Sequence, residues 1–248
     1  MLVRLSRAPV VSIASIRGRA TGIRSELALA CDMCFASREK AILSQWEVGA
    51  GLVPGGGPIA RLPRLIGRGR ALEVLLGADD IRGDIAELYG YVNRSLPDAD
   101  LDGFVDALAT RIGSFDKQAI ADTKRLANVP SLPPDVEIAP EWEALMASVG
   151  RPASQQRITR LMEQGFHKPG DAENRLDTML GNWGAERPRC WETPPEESGL
   201  RTQSCSPQSA RTHGLLATRT PRRARVRLGV PSGSRARAGI DHRDIRDC

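Results

Sequence analysis

The sequence predicts an α/β fold, and three observations lead there. Short β-branched runs such as Val10, Val11, Ile13 and Ile16 alternate with stretches whose apolar residues recur at three and four. Gly and Pro punctuate the alternation, as they do where strands feed helices. Beyond Asn128 the strand signal stops and only helical periodicity continues. At 248 residues and 41% hydrophobic, the chain is long enough to bury one sizeable core.

Taken in order, Val10 to Ile16 reads as a buried strand ending at Gly18. The basic start before this run also resembles a signal peptide. The run is short, however, and leads into Arg17-Gly18-Arg19 rather than a small-residue cleavage site. Ser25 to Cys34 reads as an apolar helix, Phe35 to Ser37 as a short extended piece, and Ala41 to Ser44 as another. Gly49 to Gly57 is a loop, and Pro58 suits the first turn of a new helix, where its missing N–H costs nothing. Leu72 to Leu76 continue the helical pattern until Gly77-Ala78-Asp79. Ile85 to Tyr89 is a short helix and Tyr91 to Leu96 a strand. Leu101, Phe104, Val105, Leu108 and Ile112 mark an amphipathic helix.

Three regions result. Residues 1–129 form a mixed core. Residues 130–184 form a helical region, entered through a Pro-rich connection from Pro130 to Pro140. Trp142 to Val149, Ile158 to Met162 and Leu176 to Trp183 mark its three helices, expected to bury against the body or a neighbouring subunit. Residues 185–248 are rich in Arg, Ser and Pro and poor in large apolar groups, so a disordered tail is expected.

The net charge of +5 belongs largely to that tail, since no Asp or Glu lies between Ser198 and Ile240. A basic arm for nucleic acid is one reading of it. No aromatic residue follows Ser198, so it has no stacking platform. An out-of-frame extension of a GC-rich gene gives similar Arg/Pro/Ser-rich text. Five irregularly spaced cysteines suggest neither a disulfide framework nor a zinc site, and Cys31 and Cys34 read as small buried residues. No apolar run is long enough to span a bilayer, and the cytoplasm is the expected location. His167, His213 and His242 do not cluster with either Glu26 or Glu47, and no metal is expected.

The chemistry concentrates between Gly18 and Gly57. A strand runs into a Gly turn at Gly22, and a helix begins at once. The first N–H groups of a helix lack internal partners and, with the macrodipole, favour negative charge at that end. A carbonyl placed there would be polarised. Glu26 lies in the first turn; Glu47 follows twenty-one residues later, in Ser44-Gln45-Trp46-Glu47, before the Gly55-Gly56-Gly57 loop. Paired carboxylates beside a polarised carbonyl suit general acid–base work. Each also has a plainer reading, Glu26 as a helix-terminal charge and Glu47 as a solvated turn acid. Asp32 is expected to serve structure at the helix end, and Arg61 and Arg64 to be solvated or to meet a phosphate.

The segments GRATGIRSELALACD, SQWEVGAGLVPGGG and RLPRLIGRGRALEVLL resemble the enoyl-CoA hydratase/isomerase, or crotonase, family. That family reads Gly-x-Ala-x-Gly-Gly-Gly-x-Glu-Leu, then Ala-Cys-Asp, Gln-Pro-Glu, Pro-Gly-x-Gly-Gly and Arg-Leu-Pro-Arg. The resemblance covers about Pro9 to Asn128 and extends toward Trp183. It implies a crotonase-like ββα spiral, N-terminally truncated, capped by C-terminal helices that pack trimers or dimers of trimers. It implies an acyl-CoA thioester as ligand, with coenzyme A part of the substrate and no separate cofactor. It implies hydration of a 2-trans-enoyl-CoA, with Glu26 and Glu47 catalytic, the Ile23 N–H in the oxyanion hole, and Gly22, Gly55 and Gly56 lining the substrate. Double-bond isomerisation on the same fold is the alternative, as is a remnant without turnover.

Departures from the pattern set further expectations. Gly22-Ile23-Arg24 replaces a Gly triplet, so Ile23 would be strained if the turn needed positive φ there. Trp46 replaces Pro, which frees the backbone and adds bulk. Family members carry ββα repeats before the strand at Val10, which supply a second oxyanion N–H and much of the CoA pocket. Without them the sheet is expected to have an open edge.

Overall fold

The computed structural model describes residues 2–168, 170–181 and 225–228. A short helix α1 (Leu2–Arg7) precedes strand β1 (Ser12–Ile16). Strand β2 (Arg19–Thr21) then runs into helix α2 (Ile23–Ala30). The next turn repeats the pattern with β3 (Met33–Ser37) and β4 (Ile42–Ser44), a 3-10 turn (Glu47–Ala50), and helices α3 (Pro58–Ile66) and α4 (Arg68–Gly77). A third turn holds β5 (Ile81–Arg82), α5 (Gly83–Tyr89) and β6 (Arg94–Leu96).

Successive turns thus place one strand in each of two small sheets, which is a ββα spiral. In one sheet β1 pairs parallel with β3, Ile13 opposite Met33, and β3 pairs parallel with β6. In the other, β2 pairs parallel with β4, Thr21 opposite Ser44, and β5 closes antiparallel on β4. The sheet containing β1 is covered on both faces, so all five β1 residues are buried. Ala14 and Ile16 face a core shared with Ala28, Leu43, Leu62, Val74 and Tyr91. Ile13 and Phe35 face α6 (Leu101–Gly113) through Leu101 and Val105.

The far edge of β1 is not open as expected. Arg225–Leu228, here β7, pairs antiparallel with it, Ser12 opposite Leu228. The other residues of the 185–248 segment, and with them His213, His242 and the expected disorder, lie outside the described residues.

Two elements depart from the sequence reading. The helix expected to reach Cys34 stops at Ala30; Cys31 takes an extended conformation and Cys34 belongs to β3. Only residues 132–134 of the Pro-rich stretch form a connection: α7 (Lys117–Ser131) runs through Pro130, and α8 (Asp135–Val149) contains Pro140. α7 begins with Asp116, whose side chain accepts from the Ala119 N–H. The remaining helices are α9 (Pro152–Glu163), α10 (Asp171–Asn174) and α11 (Leu176–Gly181). They bury Leu161, Leu176 and Leu180 against Ala50 of the 3-10 turn and Ala78, a second core directly behind Trp46. No described helix is long and apolar enough to cross a membrane.

Candidate active site

The parallel pairing of β2 with β4 explains why residues far apart in sequence meet. Thr21 lies opposite Ser44, so the two strands end side by side. One releases the chain into α2 and Glu26, the other into Trp46 and Glu47. The Gly22 N–H donates to the Ser44 carbonyl at 3.0 Å and locks the two exits together.

Gly22 is the N-cap of α2, with φ 56° and ψ −129°. Positive φ at this point is what glycine supplies cheaply. Ile23 is the first helical residue, so the strain anticipated for it does not arise; the conformational demand falls one residue earlier. The residue is 65% exposed. As N1 of the helix, its N–H has no intrahelical acceptor. The Gly22 carbonyl accepts from the Ser25 and Glu26 N–H groups at 2.8 and 3.0 Å, which fixes the first turn.

Both glutamates are buried, Glu26 at 5% and Glu47 at 7% exposure, which removes the solvated-acid reading of Glu47; Glu26 does stand in the first turn of α2. Their surroundings differ. Glu26 Oε1 accepts the Gly56 N–H at 2.8 Å, and the Gly55 N–H also acts on the carboxylate. Burial still raises its pKa, but these donors favour the ionised form and oppose the rise. Glu47 opens the 3-10 turn, and its Oε2 has no hydrogen-bond partner. Burial drives its pKa up to about 8, its own backbone N–H opposing and the Glu26 charge adding. Near neutrality the pair is therefore divided: Glu47 holds a proton that Glu26 gives up more readily.

The glycines of the loop have distinct reasons to be glycine. A Cβ at Gly56 would lie 2.0 Å from Glu26 Oε2, and one at Gly55 would lie 2.5 Å from Leu145 of α8. Their N–H groups point at Glu26. Helix α8 holds this loop from behind: Ser148 Oγ accepts the Val53 N–H at 3.0 Å, and Glu141 accepts the Ile59 and Ala60 N–H groups at 3.3 and 2.7 Å. Glu141 is a buried acid that periodicity did not single out. Its position directly after Pro140, between the stretch read as a connection and the helix marked from Trp142, hid it.

Behind the glutamates lies a further polar cluster that sequence reasoning missed. Ser25 Oγ and Tyr91 OH are 2.5 Å apart, and Gln45 Nε2 donates to Tyr91 OH at 3.3 Å. Burial pushes the Tyr91 phenol up to about 12, so it stays protonated as a donor. Gln45 immediately precedes Trp46 and Glu47, and Ser25 immediately precedes Glu26. The cluster therefore clamps both exits from below.

Other candidates fall elsewhere. Asp32 accepts from the Ser12 N–H, Ser12 Oγ and Lys124 Nζ at 2.7, 2.9 and 2.8 Å, a structural tie at the far end of α2, as expected. Arg61 is not solvated: it is 6% exposed and donates to Ser6 Oγ at 3.0 Å. Arg64 is exposed and pairs with Glu137. Cys34 is buried and its thiol donates to the Ala28 carbonyl at 3.0 Å; burial pushes the half-buried Cys31 up to about 11. Neither is a reactive thiolate. A cavity of about 1080 Å³ opens between α2, α3 and α7, lined by Leu29, Cys31, Arg61, Phe115 and Lys124. It adjoins the C-terminal end of α2, not the end that carries the glutamates.

Comparison with known proteins agrees with this geometry. A sequence profile described as enoyl-CoA hydratase/isomerase matches residues 1–137, more than half of the chain. The chain belongs to the enoyl-CoA hydratase/isomerase family. Among curated members, the crotonyl-CoA hydratase of Syntrophomonas wolfei is 39% identical over 127 residues, 51% of this chain and 48% of that protein. Among solved members, a Streptomyces avermitilis protein assigned as an enoyl-CoA hydratase superposes with a TM-score of 0.73 at 47% identity, over 74% of this chain and 66% of its own. A Thermobifida fusca protein similarly assigned, crystallised with acetoacetyl-CoA, is 33% identical with a TM-score of 0.50, over 64% and 59% of the two chains. The crotonase fold is thereby established for this family member. The chain spans about half the length of the curated relatives it matches.

Proposed function

We propose that this family member hydrates a 2-trans-enoyl-CoA, with Glu26 and Glu47 as the acid–base pair. The observation that carries this reading is the pair of buried carboxylates, Glu26 in the first turn of α2 and Glu47 beside its N-cap Gly22. The thioester carbonyl lies at the start of α2, where the Ile23 N–H and the helix dipole stabilise the enolate oxygen. Such a donor typically contributes a few kcal/mol to the barrier. Gly22 borders the substrate, and Gly55 and Gly56 act on it through Glu26, which they hold.

Glu26 accepts a proton from water as the water oxygen bonds to the β-carbon. The π electrons move toward the α-carbon and the carbonyl oxygen. Glu47, protonated near neutrality, delivers its proton to the α-carbon. The unpartnered Glu47 Oε2 is the oxygen with a free position for that exchange. What supports the thioester as ligand is the family and the acetoacetyl-CoA bound by the Thermobifida relative. A CoA thioester and the residues described suit a cytoplasmic enzyme.

The test is hydration of crotonyl-CoA, followed by loss of the enoyl thioester absorbance, in the wild type, Glu26→Gln and Glu47→Gln. Equal rates in all three would sink the assignment. Assembly belongs to the same proposal. Leu126, Val129, Val136, Trp142 and Met146 stay exposed on α7 and α8, an apolar face of the kind that subunits cover. A homotrimer, or a dimer of trimers, is expected in sedimentation equilibrium at micromolar concentration, and a monomer there would exclude it.

A further inference from the structure

Trp46 is not absorbed by the acid–base mechanism, yet it lies against the site. If a Cβ were added to Gly22, the indole Nε1 would be 2.4 Å and Cδ1 3.2 Å from it, and Glu47 Oε1 3.0 Å. Indole edge, carboxylate and helix N-terminus thus converge on one point. The ring is half-buried, so part of it borders open space. On its other side it meets Phe166 edge-on, with centroids 4.9 Å apart and planes at 69°. Phe166 is itself 6% exposed and held by Leu161, Leu176 and Leu180. Trp46 is therefore bracketed by Gly22 on one side and a packed core on the other.

We propose that Trp46 is a specificity-determining wall that limits the acyl group to short chains. The inference rests on the hydratase reading, because it is the thioester at α2 that brings the acyl carbons to Glu47. Once the reacting carbons sit at that carboxylate, the remainder of the acyl chain must pass the indole. A ring fixed beside that carboxylate leaves less room for a long alkyl run than for a methyl group.

The experiment compares crotonyl-CoA with 2-trans-octenoyl-CoA as substrates, and acetoacetyl-CoA with 3-oxooctanoyl-CoA as ligands in calorimetry, for the wild type, Trp46→Ala and Trp46→Phe. The wild type is expected to favour the short member of each pair. Trp46→Ala shifts both preferences toward the long member by at least roughly tenfold, the scale on which apolar pockets discriminate by methylenes. Trp46→Phe keeps the contact with Phe166 and shifts them by a few fold; if the alanine variant does not fold, this variant decides alone. Unchanged preferences in the folded variants overturn the wall. So does an absence of binding to wild type and variants alike. A shift in binding preference without turnover in any of them would uphold the wall and overturn the hydratase reading.

Discussion

A carboxylate stands beside each end of helix α2, Glu47 at the start and Asp32 just past the finish, and the two are built on opposite terms. At the C-terminal end Asp32 accepts from a backbone N–H, a hydroxyl and a lysine, all within 2.9 Å. At the N-terminal end Glu47 is driven into the protein with one oxygen unpartnered, beside a second buried acid. Buried polar groups in folded proteins are nearly always paired, so an unpaired one needs a reason. Desolvated acids with shifted pKa values cluster where chemistry is done. The contrast is that Asp32 is partnered where it ties strand to helix, whereas Glu47 keeps one buried oxygen unpartnered at the site.

The sharpest way to break the comparison is to neutralise each end in turn. Glu47→Gln and Glu26→Gln are each expected to lower kcat for crotonyl-CoA hydration by about 10²–10⁴-fold, the usual worth of a positioned acid or base. Asp32→Asn should leave kcat within a few fold. It should instead lower stability, by about 1–2 kcal/mol in denaturant titration, as charge-assisted hydrogen bonds to Ser12 and Lys124 weaken. A large loss of turnover in Asp32→Asn with its stability intact would erase the distinction between the two ends.

A smaller but more local disturbance is Gly56→Ala. The added methyl carbon would lie 2.0 Å from Glu26 Oε2, so the carboxylate must move while Glu47 is untouched. Turnover should drop roughly tenfold or more, since a displacement of about 1 Å in an active site costs up to that order and beyond. Gly67→Ala is the control, because nothing lies within 4 Å of its Cβ position. That glycine has φ 79°, so the control is expected to lower stability without altering kcat.

The pH dependence sharpens the same contrast. Glu47 is raised from its ordinary 4.5 to about 8 in the folded chain. The folded state therefore binds a proton that the unfolded state releases between those values. Stability falls as pH rises through this window, by on the order of a few kcal/mol in the limit, and the loss is complete above about pH 8. Thermal unfolding of the wild type should show a lower Tm at pH 8.5 than at pH 6. Glu47→Gln should flatten that slope and exceed the wild type at the higher pH. If Glu47 is the proton donor, kcat should decline over the same range above pH 8.

How much of this was legible in the sequence follows from how each feature is encoded. Glu26 and Glu47 could be picked out because each belongs to a compact local motif, and the strand–Gly–helix unit around Gly22 follows from dihedral preference alone. Helix α3 was marked by Pro58 at its first turn, where the structure puts it. What joins the glutamates was not local. The Thr21–Ser44 register, the Ser25–Tyr91–Gln45 cluster and the grip of Glu141 and Ser148 on the Gly loop are all tertiary pairings. Pro130 and Pro140 were misleading because proline is a boundary signal, yet α7 runs through the one and α8 contains the other. The end of α2 was misjudged because Ala30-Cys31-Asp32-Met33-Cys34 is apolar enough to continue a helix, while the pairing of β3 with β1 demands a strand.

The smallest expected effect, that of Arg64, is read against Arg61 one helical turn before it on α3. Both sit in Arg-Leu-Pro-Arg, and the sequence treats them alike. Arg61 points inward, donates to Ser6 Oγ and the Leu29 carbonyl, and has its pKa lowered by burial while Glu141 opposes the change. Removing it leaves Ser6 short of a partner and a gap where its alkyl stem packed. Arg61→Ala should therefore lower stability by about 1–3 kcal/mol. Arg64 lies at the surface, bonded to Glu137 in full contact with solvent. Exposed pairs of this kind are screened and entropically offset, so Arg64→Ala should leave the denaturation midpoint unchanged within error. Equal losses in the two variants would mean that the inner face of α3 is less tightly packed than Arg61 indicates, and with it the floor beneath the C-terminal end of α2.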